Sequence, residues 1–345
     1  MRLLSIIISV AILAAAAPAA SQLRTLDVPP DKGWQHARTG LILMGKLGQF
    51  QRASLRDNGT FELDVIATYR TADQKSTASI FLYRPGVLDV PLWFDRSHTV
   101  MLRNRDIKVG APIGPVTRFV PPGSTTHSAL RIVYPIAGQP SSATGLAMIP
   151  FGEWLVAVRL TSDTMDPAAL DAALTELVGK VRWPASIAPA KVANPVQQCA
   201  SPLKFKRAKP IKPDLAQALM ASVLGFAMRD VADKKGGSPA PAVEYCLEES
   251  SGVEFSAYRP IDSRTHYVVA FGDAGVAANV SPEFNLDGET GQYAVVLEDW
   301  DSSDSYPSFT AMPTPKQVFE LVQRGSPVAS ASRGGKDIAI SPSAK

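Results

Sequence analysis

The chain has 345 residues, with 35 Lys and Arg against 32 Asp and Glu and a formal net charge of +3. A balance so close to neutral produces no global field for nucleic acid, and no nucleic-acid partner is expected. Beyond the first residues no apolar run reaches the roughly 18 residues of a membrane span, which excludes an integral helical membrane protein.

At the start, Arg2 is followed by an almost wholly apolar stretch, Leu3 to Ala16, and by Ala17-Pro18-Ala19. That is the anatomy of a secretory signal peptide over residues 1–19. No Cys follows the run, so a lipid anchor is not expected. Cleavage after Ala19 leaves 326 residues (345 − 19), a length natural for two domains. The expected location is exported, periplasmic or extracellular.

Residues 40–50, GLILMGKLGQF, match the front of a P-loop: Gly40, four residues, Gly45, Lys46. The match fails on chemistry. A P-loop needs Ser or Thr after the Lys to reach magnesium, and Leu47 stands there. The intervening Leu-Ile-Leu-Met fits a buried strand, not a loop of amides facing phosphates.

Residues 37–84 read as strands, with Asp57-Asn58-Gly59 as a turn between two of them. In Glu62 to Thr71 the alternation puts Leu63, Val65, Ala67 and Tyr69 on one face. Pro91 to Arg103 fits a helix. Strands are expected in SALRIVYPI, TGLAMIPF and EWLVAVRLT, with Gly152-Glu153 as a tight connection. Asp166 as N-cap, Pro167 at the first position, and Leu170, Leu174, Leu177, Val178 and Val181 on one side mark the next helix.

This block, residues 25 to 185, resembles the PsbP-like families. The likeness rests on Gly33-Trp34, on TASIFLYRPG, and on EWLVAVRLTSD, where Trp154, Arg159 and Thr161 precede a Pro-started helix ending at Val181-Arg182-Trp183-Pro184. It implies an α/β/α sandwich and a binding or assembly role, and it carries no binding residue over to this chain. It covers about half the sequence.

From Pro184 to Pro213 there are six prolines, six basic residues (Lys191, Lys204, Lys206, Arg207, Lys209, Lys212) and no acid. The stretch reads as a semi-rigid linker over residues 185–213. Its apolar members Leu203, Phe205 and Ile211 predict that it packs against the second domain, with Phe205 and Ile211 at least partly buried and the charges steering the register. The competing reading leaves it free to hold an anionic partner. Ser201 to Lys204 is a formal S-x-x-K whose proline-rich setting argues against catalysis.

Asp214 caps an expected helix to Lys235, and strands are expected in AVEYCLEES, GVEFSAYRP, HYVVAFGD and QYAVVLED. Thr314, Pro315 and Gln317 open a last helix that Gly325 ends. A tail over residues 326–345 is expected to be disordered. The fold class is therefore α+β, with two domains (20–184 and 214–325), each an antiparallel sheet with a few helices. Cys199 and Cys246 are expected to form a disulfide, as the compartment favours.

Catalytic signatures are sparse. His36, His98, His127 and His266 lack zinc spacing, and there is no G-x-S-x-G. Between Thr265 and Pro315 there is no Lys or Arg, while Glu298, Asp299, Asp301 and Asp304 place four carboxylates in seven residues. The preferred reading is a solvated acidic loop. The alternative is a calcium site of Asp299, Asp301 and Asp304, with no other cofactor expected. The expected function is an exported, non-enzymatic binding or assembly module of the cell envelope, its partner an envelope protein or an anionic polymer. The alternatives are an exported hydrolase with an unrecognised site and a calcium-stabilised surface protein.

Overall fold

The structure is a computed structural model that describes residues 24–59, 61–103, 108–137, 141–212, 243–285, 288–332 and 338–340. The expected signal peptide and the expected helix from Asp214 to Lys235 lie outside these residues. Within them, two long antiparallel sheets and three helices make a sheet-rich α+β fold.

The first sheet runs, edge to edge, through Arg24–Thr25, Phe50–Asp57, Asp64–Arg70, Ser76–Tyr83, Trp154–Ser162, Ala143–Phe151, Ala129–Pro135 and Thr117–Phe119. Ala143–Phe151 is buried at every position, because both of its faces are covered. Its alternation sends Ala147 and Ile149 into one apolar cluster and Leu146 and Met148 into another. Helix α1 (Val90–Leu102) covers the second face, and α2 (Pro167–Lys180) covers the first with Leu170, Leu174, Leu177 and Val178. Asp166 caps α2 through the Ala169 amide, 2.8 Å away. Gly40 to Leu47 folds as the two short strands Ile42–Leu43 and Lys46–Leu47, with no helix to open a P-loop.

The second sheet is a meander of Tyr245–Ser250, Phe255–Pro260, Tyr267–Phe271, Val276–Asn285, Gly288–Glu298, Ser302–Phe309, Ala329–Ser332 and Ile338–Ile340. Gln197–Gln198 joins its edge in parallel. Helix α3 (Pro315–Arg324) lies on one face, with the expected Thr314–Gln317 capping box formed at both bonds.

The other face of this sheet meets α1. Tyr258, Val268, Ala270 and Ala277 share one apolar cluster with Trp93, Phe94 and Met101 and with Leu146 and Met148 of the first sheet. The layers therefore run α2, first sheet, α1, second sheet, α3. Two polar side chains of α1 reach the second block. Tyr258 Oη donates to Asp95 at 2.8 Å, and the Arg96 guanidinium, fully buried, donates to the carbonyls of Gly252 and Val253. The two expected domains thus share a core through one helix.

Two expectations need correction. The residues from 326 are not all an unstructured tail, since Ala329–Ser332 pairs with Ser302–Phe309 and its Ala329 and Ala331 are buried. Nor does the acidic stretch stand out in solvent. Asp299 to Asp301 turns a hairpin between Gly288–Glu298 and Ser302–Phe309, Glu298 is buried, and Trp300 packs against the first sheet's core. Trp300 Nε1 donates to Ala274 O at 2.6 Å, which pulls the hairpin down on the junction.

Candidate functional site

The segment between the blocks alternates apolar and cationic residues: Leu203-Lys204-Phe205-Lys206, then Arg207-Ala208-Lys209-Pro210-Ile211-Lys212. In a chain lying on a surface, such alternation sends one set inward and the other outward. Leu203 and Ala208 are buried, and Phe205 and Ile211 are half-buried. Lys204, Lys206, Arg207, Lys209 and Lys212 are all exposed.

Each end of the segment is stapled. At its start, Cys199 is bonded to Cys246, and Cys199 N donates to Leu247 O at 2.9 Å. The Arg259 guanidinium, 1% exposed, donates to Glu248 Oε2 at 2.9 Å, to Ser263 O at 2.8 Å and to Ser201 O at 2.8 Å. The other Glu248 oxygen accepts from Leu203 N. This buried ion pair is hydrogen-bonded on both sides, which is the condition under which burying two charges is tolerated. In the middle, the Phe205 ring meets Tyr267 edge-on at 6.1 Å, and Gln317 Nε2 donates to Ala208 O at 3.0 Å. At the end, Ile211 N donates to Ser308 O at 2.8 Å and Thr310 N donates to Lys209 O at 3.0 Å.

The expected docking is therefore present, but its register has a different cause. Among the described residues none of the five cations makes an ion pair. Backbone bonds and apolar contacts set the register, and the charges are left over. Upstream the segment is packed as well. Lys191 Nζ donates to the buried Asp89 carboxylate at 2.6 Å, and Ala193, fully buried, donates to His127 O at 3.0 Å.

The other sequence candidates do not converge. Ser201 O is held by Arg259 and Arg264, no helix carries it, and Lys204 points its charge to solvent. His36 is fully buried, with Nδ1 2.8 Å from Thr39 Oγ1 and Nε2 3.1 Å from Glu62 O. A carbonyl only accepts, so Nε2 carries the proton and Nδ1 takes one from the threonine hydroxyl. Burial lowers the His36 pKa, with the bond to Glu62 opposing. His98 lies 2.7 Å from Tyr134 Oη, and burial pushes it down to about 4. Burial also lowers His266, which bonds Asn279. Among the described residues no histidine ring bonds a serine, a cysteine or a carboxylate.

Asp299, Asp301 and Asp304 lie around one hairpin. Asp299 accepts from Trp300 N, and Asp304 is held by Ser330 and Ser302. Burial raises the pKa of both Asp299 and Asp304. Among the described residues no group of three or more His, Cys, Asp or Glu is placed to hold a metal ion.

Sequence reasoning found the basic segment through its alternation of apolar and cationic residues. It did not find Arg259 and Glu248, whose partnership joins two strands and carries no local signal. Compared with known proteins, the chain matches no family model, no curated protein and no solved structure.

Proposed function

We propose that this chain is a non-enzymatic binding module of the cell envelope, and that the docked basic segment is the face it offers to an anionic polymer. One observation carries the reading. The segment is held by its backbone and its apolar side chains, while all five cations from Lys204 to Lys212 remain exposed and without ion-pair partners among the described residues. These five exposed cations fall within nine residues that hold no acid. In an extended chain, alternate residues stand roughly 6–7 Å apart, so the face is a ladder of positive charge suited to a repeating polyanion. Holding the ladder in place before binding lowers the ordering cost of association.

The disulfide supports an oxidising compartment. Among the described residues no helix is long and apolar enough to cross a membrane. Both are compatible with export.

The test is co-sedimentation with dextran sulfate and with neutral dextran, using the wild type and a variant with Lys204, Lys206, Arg207, Lys209 and Lys212 all changed to Gln. These side chains are exposed, so the variant keeps the fold, as circular dichroism would verify. The wild type is expected to bind the sulfated polymer and not the neutral one, and the variant to lose most of that binding. Equal retention of wild type and variant would remove the basis of the proposal.

A further inference from the structure

At one end of the first sheet, four pieces of chain line an open cleft of about 560 Å³. They are the Gly152-Glu153 turn, the loop carrying Arg38 and Thr39, the chain at Arg84, and the chain just beyond α2, with Ile187 in the wall. The volume falls within the range of small-molecule sites.

The wall is built rather than incidental. Trp154 is 6% exposed and is braced edge-on by the buried His36 ring at 4.6 Å. The same imidazole fixes the Thr39 hydroxyl. Arg84, next to the end of the strand Ser76–Tyr83, donates from Nη2 to Glu153 Oε2 at 2.8 Å. Its side chain is only 10% exposed, against 48% for Glu153. Its Nε is buried and has no hydrogen-bond partner among the described residues. A buried guanidinium N–H left unbonded is costly unless something else accepts from it. Arg38, across the cleft, is exposed and has no ion-pair partner among the described residues.

Two guanidiniums against one carboxylate leave a single positive charge in the cleft. The rest of the lining sets the Ser186 hydroxyl among aromatic and aliphatic walls. We infer that this cleft binds a small monoanion, a carboxylate carried on an apolar body, with Arg38 and Arg84 as its charge partners and Trp154 and Ile187 against its apolar part. Arginine forks suit a planar carboxylate, which can accept two parallel N–H bonds. A dianion would exceed the cleft's single positive charge and leave one negative charge uncompensated beside Glu153.

Isothermal titration with benzoate, benzyl alcohol and phenyl phosphate tests this on the full chain. Benzoate is expected to bind saturably, and benzyl alcohol and phenyl phosphate more weakly. Arg38→Gln changes an exposed side chain, so its fold is safe, and it should weaken benzoate binding roughly tenfold, the scale of one charge-assisted bond. Glu153→Gln releases Arg84 and should tighten it. Arg84→Gln should also weaken benzoate binding, and if that variant fails to fold, Arg38→Gln decides alone. No saturable benzoate binding, equal binding of benzoate and benzyl alcohol, or wild-type affinity in Arg38→Gln overturns the assignment.

Discussion

Asp64 is 2% exposed on the strand Asp64–Arg70, on the face turned to the second sheet. One carboxylate oxygen accepts from Asn58 Nδ2 at 3.1 Å, and the other has no hydrogen-bond partner among the described residues. Desolvation, together with the nearby Asp273, Asp57 and Asp299, pushes its pKa up to about 7. The unfolded value is near 3.9. The native state therefore holds a proton that the unfolded chain gives up, and the stability this contributes is lost as pH rises through about 7. Asp64→Asn mimics the protonated form at every pH. Urea unfolding should show the wild type losing stability between pH 5 and pH 8 relative to the variant, on the order of a few kcal/mol. Parallel pH profiles would contradict this. His98 acts in the opposite direction. Its native value near 4 lies below the ordinary 6.5, so its contribution fades as pH falls through that window, and the Asp64→Asn comparison cancels it.

Among the elements, the basic segment can be loosened without changing any strand's own residues. Leu203→Ala with Phe205→Ala removes the inward side chains, each contributing about 1.5 to 3 kcal/mol when fully buried. The Ile211 amide, bonded to Ser308 O, should then exchange hydrogen faster, while the amides of Tyr267–Phe271 stay protected. Unchanged protection at Ile211 would mean the far staple holds by itself. The helices with caps were the most legible elements. Asp166-Pro167 and Thr314-Pro315-Gln317 are local signals, and local bonds satisfy them. The apolar strands were legible too, because alternation survives in Leu63, Val65, Ala67 and Tyr69. Ser302–Phe309 was not, because Ser, Asp and Pro dominate it and its pairing with Gly288–Glu298 and Ala329–Ser332 is what makes it a strand. The alternation in residues 203–212 made the docked basic segment legible. The Arg84–Glu153 cleft stayed hidden, because its lining comes from four distant pieces of chain.

For the whole molecule, α1 is the shared member. Trp93 is fully buried, donates from Nε1 to Val87 O at 2.7 Å, and belongs to the cluster that joins both sheets. At the same junction, Gly86 N donates to Gly275 O at 2.8 Å, and a Cβ on Gly86 would stand 2.5 Å from Glu298. Such contact leaves no room for a side chain at Gly86 between the two blocks. Trp93→Ala should cost about 3–5 kcal/mol and lower the unfolding midpoint of amides in both sheets together. Two separate transitions, with only one moved, would contradict a common core. Onto this rigid frame the disulfide and the Arg259–Glu248 pair fasten the cationic ladder, so the ladder should act as a fixed charge array. The most direct test of that claim is the salt dependence of dextran sulfate binding. With about 0.7 counterions released per contact, five cations predict a slope of log affinity against log salt of roughly −3 to −4. The five-fold Gln variant should be nearly flat, whereas the same slope in both proteins would show that the polymer binds elsewhere.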